Sequence, residues 1–320
     1  MRAMIYVLAA SLFFAVTFIL NRSMEISGGN WIWSASLRFL FMLPFLMMIV
    51  GIRGKLAGLW VEMRRHPVAW LGWSLVGFGL FYAPLCFAAA YGPGWLIAGT
   101  FQVTIVAGTL LAPLFRRKIR IGSVDRMVRE RIPVRGLALS SIILFGIVVM
   151  QSDHARSVQV TEVLLGALPV LMAAFAYPLG NRKMMEICEG RLDTFQRVLG
   201  MTLASLPLWV ILSCIGWTLS GPPGESQIGQ TFIVALSSGV IATVLFFRAT
   251  DLVREDQRKL SAVEATQSGE VIFAALGELI LFPSALPSPL AITGMGLIVA
   301  GIICHSRFSH EGKAVQKSAV

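Results

Sequence analysis

Residues 3–21 read AMIYVLAASLFFAVTFILN, an apolar run without a charged side chain. A helix needs about 20 such residues to cross the hydrocarbon core of a bilayer, and nine similar windows follow along the chain. No small-residue cleavage site closes the first window, so we expect it to remain attached. The sequence therefore predicts an all-α polytopic membrane protein with ten transmembrane helices, at 3–21, 31–50, 67–90, 95–115, 136–152, 162–180, 196–217, 230–250, 261–282 and 288–304.

The composition of the whole chain also indicates that its solvent is lipid. Of its 320 residues, 56% are hydrophobic and 14% are charged, a balance that a water-soluble fold does not accommodate. The net charge of +10 would suit nucleic acid in a soluble protein, but the basic residues lie in short segments between apolar windows. We therefore expect a lipid bilayer, and no nucleic acid, as partner. The cysteines and histidines have no disulfide or metal-site spacing, so neither metal nor cofactor is predicted.

The distribution of lysine and arginine predicts the orientation of the spans. One set of alternate connecting segments holds 23 of the 27 Lys and Arg residues, including the eight from Arg116 to Arg135. The other set holds only Arg22 and Arg156. Because cytoplasmic segments are enriched in Lys and Arg, we expect both termini in the cytoplasm and the protein in a bacterial inner membrane.

A shift of 160 residues aligns the two halves of the chain. It matches Asn21-Arg22 with Asn181-Arg182, and a slightly larger shift pairs Gln102 with Gln267. Five spans per half is an odd number, so the second half would cross the membrane in the opposite direction. The sequence thus predicts two inverted five-helix repeats at 1–152 and 161–305, an external linker at 153–160, and a cytoplasmic tail at 306–320.

Four segments carry a resemblance to known proteins. They are Ser11-Leu-Phe-Phe-Ala through Asn21-Arg22, Ser36-Leu-Arg-Phe, residues 99–115, and Leu276-Gly-Glu-Leu-Ile with residues 294–301. With these, the chain resembles the ten-helix drug/metabolite transporter superfamily and, within it, the multidrug resistance efflux transporters. The resemblance implies an exporter but no particular substrate. Small four-helix relatives use a first-helix glutamate for drug and proton binding, and span one here has no acidic residue before Glu25.

The ninth window contains the densest set of polar and ionisable residues within the predicted spans. Glu264, Gln267, Glu270 and Glu278 would occupy one arc of about 120° on a continuous helix. A charge near the bilayer centre costs about 2.5–3.5 kcal/mol on insertion scales, so such residues are functional candidates. For Glu264 and Glu278, near the ends of the window, helix packing or solvation is the preferred interpretation.

Glu270 lies nearest the middle of this window, and we predict that it exchanges a proton for a cationic substrate. The alternative is a permanent ion pair with one of three arginines, namely Arg38, Arg248 or Arg197. Arg38 itself lies about eight residues into span two. Its two interpretations are a packing ion pair and a clamp for a substrate carboxylate, which would favour an anionic or zwitterionic metabolite.

Four further residues within spans are candidates for contact with a substrate. Gln102 and Thr109 share a face of span four, and the amides of Gln102 and Gln267 would face each other across the repeat axis. Interhelical hydrogen bonds, worth about 1 kcal/mol each, are the alternative for these amides. The rings of Phe14 and Tyr177 would suit a lipophilic cation, with packing as their alternative.

These observations predict a secondary active transporter, not an enzyme, that exports small organic cations, drugs or metabolites by proton antiport with alternating access. No GxxxxGK[ST] loop occurs, so ATP hydrolysis is not expected. The alternatives are an amino-acid or zwitterionic-metabolite exporter, a lipid-carrier flippase and a membrane-embedded transferase. The expected partners are a small-molecule substrate and protons, and the expected state is a monomer or homodimer. The predicted site residues are Glu270, Gln267, Glu264, Gln102, Arg38, Thr109, Tyr177 and Phe14.

Overall fold

The computed structural model describes residues 2–121, 124–129, 132, 134–154, 159–254, 256–267, 269–282 and 287–317. Most of these residues are helical. In chain order the helices are α1 (Arg2–Ile26), α2 (Trp31–Ile52), α3 (Leu56–Arg65), α4 (Pro67–Ser74), α5 (Leu80–Ala88), α6 (Gly94–Phe101), α7 (Val103–Leu110), α8 (Val134–His154), α9 (Val160–Cys188), α10 (Thr194–Ser220), α11 (Glu225–Val234), α12 (Thr243–Asp251), α13 (Gln257–Thr266), α14 (Gly269–Leu281) and α15 (Pro289–Lys317).

Six helical stretches within the described residues are long and apolar enough to cross a membrane. They are Arg2–Ile26, Trp31–Ile52, Pro67–Ala88, Val160–Cys188, Thr194–Ser220 and Glu225–Asp251. Three shorter apolar helices cover Gly94–Leu110, Ser140–Met150 and Pro289–Gly301. The chain is therefore a helical multi-pass membrane protein, as predicted. The arrangement of ten spans as two inverted repeats, with its boundaries, stays a prediction.

A short β-hairpin lies between α7 and α8, in the segment that holds eight basic residues. Its strands, β1 (Arg116–Ile121) and β2 (Val124–Arg129), pair antiparallel, with Arg116 opposite Arg129. The sequence pattern of this segment predicts only a basic connection between spans, although the Ile and Val residues among the arginines favour strands. The hairpin lies outside the apolar helices and does not alter the helical character of the rest of the chain.

Two helical rods contain a π-helical segment. Leu75–Gly79 joins α4 to α5, and Ala235–Ala242 joins α11 to α12. The two segments begin 160 residues apart, which is the shift that aligns the two halves of the sequence. Such segments are frequent at functional sites because they displace the side chains around them from regular helical positions.

Gln102 and Gln267 each interrupt a helix with a tightened turn. The N–H and C=O groups of Gln102, between α6 and α7, bond to Gly99 and Ile105 at i→i+3 spacing. Those of Gln267, between α13 and α14, bond to Glu264 and Glu270 at the same spacing. The predicted continuous helix at 261–282 is therefore wrong in one respect. It consists of two segments, because a tightened turn replaces α-helical hydrogen bonds near its middle.

The buried core is formed where helices distant in sequence pack together. Helix α1 packs against α12 and α14, α2 against α10, α5 against α9, and α8 against α15. At its centre the rings of Phe39 and Trp209 stack with centroids 4.2 Å apart. The Cα of Gly180 lies 3.0 Å from where a Cβ on Gly77 would stand, so α9 approaches the α4–α5 rod closely. Both interrupted helices pack against α1, and α6 and α7 also pack against α9.

Candidate functional site

Glu270 is the carboxylate that the structure buries most completely among the predicted site residues. It lies in the first turn of α14 and is 1% exposed. Its Oε1 accepts a hydrogen bond of 2.7 Å from Nε2 of Gln102, and its Oε2 accepts one of 3.4 Å from Nε2 of Gln267. The two amides that the predicted repeat would relate therefore converge on one carboxylate instead of facing each other.

In the described chain, Glu270 forms no ion pair with a basic side chain. Arg197 pairs with Asp251 at 2.5 Å, and Arg248 is exposed near the end of α12. Arg38 donates to Ser238, at 3.0 Å. The alternative of a permanent ion pair between Glu270 and one of these arginines is therefore wrong for this structure.

The surroundings of Glu270 leave its carboxylate able to take one positive partner. The first turn of a helix favours a carboxylate through its free N–H groups and the helix dipole. Burial, in contrast, penalises the charged form of an isolated carboxylate. A carboxylate that receives two amide hydrogen bonds and has no basic partner can bind either a proton or a cation, and either one would neutralise it.

Glu264 has a different environment, although it lies only two turns away from Glu270. Arg182 of α9 donates to Glu264 through Nε at 3.0 Å and Nη2 at 2.6 Å, and its Nη1 donates to the carbonyl of Gly108 at 2.7 Å. Both side chains of the ion pair are buried. Arg182 thus joins α13, α9 and α7, so the geometry of Glu264 is that of helix packing.

Glu278 caps the beginning of another helix. Its carboxylate accepts hydrogen bonds from the backbone N–H groups of Gly94 at 2.6 Å and of Trp95 at 3.3 Å. These N–H groups are among the four at a helix start that have no partner within the helix. The carboxylate also complements the positive end of the α6 dipole. Glu278 therefore stabilises the start of α6 against α14.

Five buried rings form an aromatic cluster beside the interrupted helices. The ring of Tyr177 lies 4.5 Å from that of Phe81, and its centroid distances to the other three rings lie between 5.3 and 6.5 Å. The members of the aromatic cluster are Phe14, Phe81, Phe101, Tyr177 and Phe246. The Tyr177 hydroxyl is buried without a hydrogen-bond partner among the described residues.

Arg38 is 2% exposed and lies on α2 near the centre of the protein. Its Nη2 donates to Ser238 Oγ, which also accepts a hydrogen bond from Thr17. Its guanidinium carbon lies 3.9 Å from the centroid of the Tyr82 ring. Within the part of the chain that the structure describes, Nε and Nη1 have no partner. The packing ion pair considered for Arg38 is therefore not formed.

Thr109 does not join the hydrogen-bonded group around Glu270 in the described structure. Its hydroxyl donates to the carbonyl of Ile105 within its own helix, at 3.0 Å. Gln102 directly precedes α7 and Thr109 lies near the end of that helix, but the amide of Gln102 reaches Glu270 whereas the hydroxyl of Thr109 bonds within α7. The structure thus brings Gln102, Gln267 and Glu270 together, with Phe14 and Tyr177 in the aromatic cluster, while Glu264 and Thr109 are bonded elsewhere.

A protein family described as "Putative multidrug resistance efflux transporter" (EmrE) matches residues 1–311. The chain belongs to this family. All the segments that carry the resemblance to efflux transporters lie within the matched residues. The match covers every helix from α1 to α14 and most of α15, so family membership applies to the whole fold and not to one part of it.

Two relatives and one solved structure extend this comparison. "Uncharacterized protein YjlA" of Bacillus subtilis (strain 168) is 58% identical over 318 residues, which are 99% of this chain and 98% of that protein. "Uncharacterized 42.1 kDa protein in intracellular alkaline protease 3'region" of Shouchella clausii is 54% identical over 270 residues, covering 84% of this chain and 70% of the relative. A solved structure described only as "Crystal structure of protein" aligns with 97% of this chain and 98% of its own, at a TM-score of 0.66 and 17% identity. That likeness shows the fold alone.

Three residues of this family member were not among the predicted site residues. Arg182 was counted with the cytoplasmic charges, although its repeat match with Arg22 was a signal that the position is special. Tyr82 is one of many aromatic residues within the predicted spans, and nothing in its sequence position distinguishes it. Ser238 gave no signal, because its importance comes from the π-helical segment that brings it to Arg38.

Proposed function

We propose that this member of the efflux transporter family is a secondary active transporter that exchanges protons for a small organic cation or metabolite at Glu270. The observation that carries the proposal is the geometry of Glu270, a buried carboxylate held by Gln102 and Gln267 with no basic partner in the described chain. Intramembrane acids of this kind mark ion and proton pathways in transporters.

Proton and substrate movement would be coupled because the Glu270 carboxylate can hold only one of them at a time. A proton on Glu270 neutralises it and removes its attraction for an ammonium group, so proton and substrate cannot both occupy it favourably. Exposure of such a site first to one side of the membrane and then to the other exchanges one occupant for the other. The neighbouring aromatic cluster would contact the apolar part of a substrate, since ring faces attract organic cations.

We propose further that the chain forms ten spans of a bacterial cytoplasmic membrane, arranged as two inverted five-helix repeats. Two pairs of features support this arrangement. The π-helical segments begin at Leu75 and Ala235, and the glutamine interruptions lie at Gln102 and Gln267. Discontinuous helices that meet at the midplane are typical of transporters with inverted repeats. Both termini would then be cytoplasmic, and the named relatives are bacterial.

Transport measurements in proteoliposomes test the role of Glu270. Purified protein is reconstituted with a pH-sensitive dye inside, and a panel of lipophilic cations is added from outside. We expect cation-dependent proton movement for the wild type and none for Glu270→Gln. Glu225→Gln is the matched control, because Glu225 is an exposed carboxylate in the first turn of α11. Proton movement in Glu270→Gln equal to that of the wild type would overturn the assignment.

Reporter fusions test the topology. A green fluorescent protein fused after Val320 should fluoresce, and alkaline phosphatase at the same point should be inactive, because only the former works in the cytoplasm. The reverse pattern is expected for an insertion between Gly221 and Gly224, in the turn that follows α10. Active phosphatase at the carboxyl terminus would contradict ten spans with cytoplasmic termini.

A further inference from the structure

We propose that Arg38 is an anion subsite that binds the carboxylate of the transported substrate. The substrates would then be amphoteric molecules that carry an ammonium group and a carboxylate on an apolar or aromatic body. The inference rests on the proposed function, because it assigns a second pole to the site that contains Glu270.

The first observation is a buried positive charge without a negative partner. Arg38 is 2% exposed, and the described residues provide it with one hydroxyl acceptor, Ser238, and with no carboxylate. Two of its nitrogens, Nε and Nη1, have no acceptor in the described chain. A buried charged donor without a partner is costly, whereas the same charge with a hydrogen-bonded anion is not. Within the described residues no anionic group completes the arginine, so an anion from outside the chain would complete it.

The second observation is the support that holds the guanidinium in place. The guanidinium carbon of Arg38 lies 3.9 Å from the ring centroid of Tyr82 and 5.4 Å from that of Phe39. Ser238, which accepts from Arg38, also accepts from Thr17 of α1. These contacts come from α1, α2, α5 and the π-helical segment. They fix the guanidinium in one orientation, as a binding site for a planar carboxylate requires.

The third observation is the position of Arg38 relative to Glu270. The Tyr82 ring, 3.9 Å from the Arg38 guanidinium carbon, has its centroid 6.0 Å from that of Phe81 in the aromatic cluster. Phe101 of the same cluster directly precedes Gln102, which donates to Glu270. The charges of Arg38 and Glu270 are opposite, and the rings lie in the region that both influence. This arrangement suits a molecule whose ammonium group approaches Glu270, whose carboxylate approaches Arg38, and whose apolar body contacts the rings.

Charge balance favours an amphoteric substrate over a simple cation. An amine on Glu270 would leave Arg38 buried and unpaired, and would itself be repelled by the arginine. An amphoteric molecule neutralises both groups when it replaces the proton. The structure therefore favours the zwitterionic alternative over the lipophilic cation as the principal substrate class.

Matched ligand pairs that differ only in the carboxylate test this inference. The probes are phenylalanine and phenylethylamine, tryptophan and tryptamine, and leucine and isoamylamine, each tested for binding to purified protein in nanodiscs and for counterflow in proteoliposomes. At least one carboxylate-bearing member should bind wild-type protein about tenfold or more tightly than its amine, because a site built around a buried charged donor discriminates against a ligand without the acceptor.

The variants separate binding from folding. Arg38→Gln should lose that preference through weaker binding of the carboxylate-bearing member, while its affinity for the amine is unchanged or higher, because the repelling charge is gone. Arg38→Lys keeps the charge and should retain part of the preference. Arg248→Gln, an exposed arginine on α12, should bind like the wild type. Gel filtration and circular dichroism establish that each variant is folded before binding is compared.

The following outcomes would overturn the inference. Equal affinity for both members of every pair, no binding of any carboxylate, or an equal loss of both members in Arg38→Gln would make Arg38 a packing residue. Full protection from thermal unfolding by chloride alone would make it a site for a resident inorganic anion. Proton-coupled flux of the amines without the amino acids would leave the proposed function intact and remove only this inference, whereas no coupled flux of any probe would remove both.

Discussion

The amide of Gln102 donates a hydrogen bond of 2.7 Å to the carboxylate of Glu270 from a different interrupted helix. Each of these helices is interrupted at a glutamine, and both glutamine amides reach the same carboxylate. The contact therefore couples the two predicted repeats at the point where both helices are least regular. A change in the charge of Glu270 would act on both interruptions, which gives proton binding a direct route to helix movement.

The bond from Gln102 should influence the pH at which transport is half-maximal. A donor to a carboxylate stabilises its charged form, so Gln102→Leu favours the protonated form, and a higher pH is needed to release the proton. A hydrogen bond to a charged group is worth about 1.5–3 kcal/mol, so we expect the midpoint to move upward by about one pH unit or more. Flux measured against pH in proteoliposomes checks this.

Gln230→Leu is the control for this experiment. Gln230 lies on α11 and donates to Ser226 within that helix, outside the group around Glu270. It should leave the midpoint unchanged. A midpoint in Gln102→Leu identical to that of the wild type would show that the contact does not influence proton release.

Substitutions of Arg182 and Glu264, which form a buried ion pair, should show a large coupling free energy of unfolding. Removal of one partner leaves an uncompensated buried charge, which costs about 3–5 kcal/mol. We therefore expect Arg182→Met and Glu264→Leu each to be severely destabilised, and the double variant to recover much of the loss. Chemical unfolding in detergent measures the four free energies of the double-mutant cycle.

The more exposed pair of Lys183 and Glu186, 2.8 Å apart, provides the comparison for that cycle. Glu186→Gln should cost less than about 1 kcal/mol, because solvent screens such pairs. If the single variants of the buried pair were as mild as Glu186→Gln, the pair would not hold α13 against α9.

The sequence predicted the apolar segments that a bilayer requires, but it did not predict features that depend on contacts between helices. Hydropathy located the apolar windows because the bilayer imposes length and composition on a helix. The window at 162–180 ended where polar residues begin, whereas α9 continues to Cys188, because Arg182 is buried against protein and not against lipid. Burial of Glu270 followed from its place in the ninth window.

The interruptions at Gln102 and Gln267 could not be read from the sequence. No proline lies within five residues of either glutamine, and the nearby Gly99 and Gly269 are of a residue type common in membrane helices, so they do not mark the tightened turns. The Gln102 turn presents its amide to Glu270, which is distant in sequence, whereas the Gln267 amide reaches the same carboxylate only three residues along the chain. The repeat match of the two glutamines was the part of this arrangement that sequence comparison within the chain could predict.

The start of α6 should not tolerate a side chain at Gly94. A Cβ there would stand 2.6 Å from the carbonyl oxygen of Phe18 and 2.7 Å from Oε1 of Glu278. The backbone of α1 cannot move easily, so Gly94→Ala should separate α6 from Glu278 and remove the cap. We expect a loss of about 1–3 kcal/mol, as for other overpacked sites, measured by thermal unfolding in detergent.

Gly229→Ala is the matched control for Gly94→Ala. Gly229 lies on α11, and a Cβ there meets nothing within 4 Å. Alanine has the higher helix propensity, so this variant should be neutral or slightly stabilising. A Gly94→Ala protein as stable as Gly229→Ala would show that the close approach of α6 to α1 is not required.

The ion pair of Glu62 and Arg191 should make stability depend on pH outside the membrane. Glu62 is a buried residue of α3, and its carboxylate accepts from Arg191 Nη2 at 2.8 Å and from Nε at 3.2 Å. The hydrogen bond from Arg191 holds the pKa of Glu62 below its ordinary value of 4.5. A lowered pKa means that the pair stabilises the folded state above about pH 4.5, and that this contribution is lost as the pH falls through the lower, folded-state pKa.

Glu62→Gln should therefore unfold at a lower temperature than the wild type at pH 7, and the difference should shrink as the pH falls below about 4.5, where the wild-type carboxylate also becomes neutral. Thermal unfolding followed in detergent between pH 3.5 and 7 measures both curves. Glu189→Gln is the control, because Glu189 pairs with the same arginine but is 71% exposed, so its removal should have a smaller effect. Parallel curves for Glu62→Gln and the wild type across the whole range would show that the pair does not attach α3 to the loop after α9.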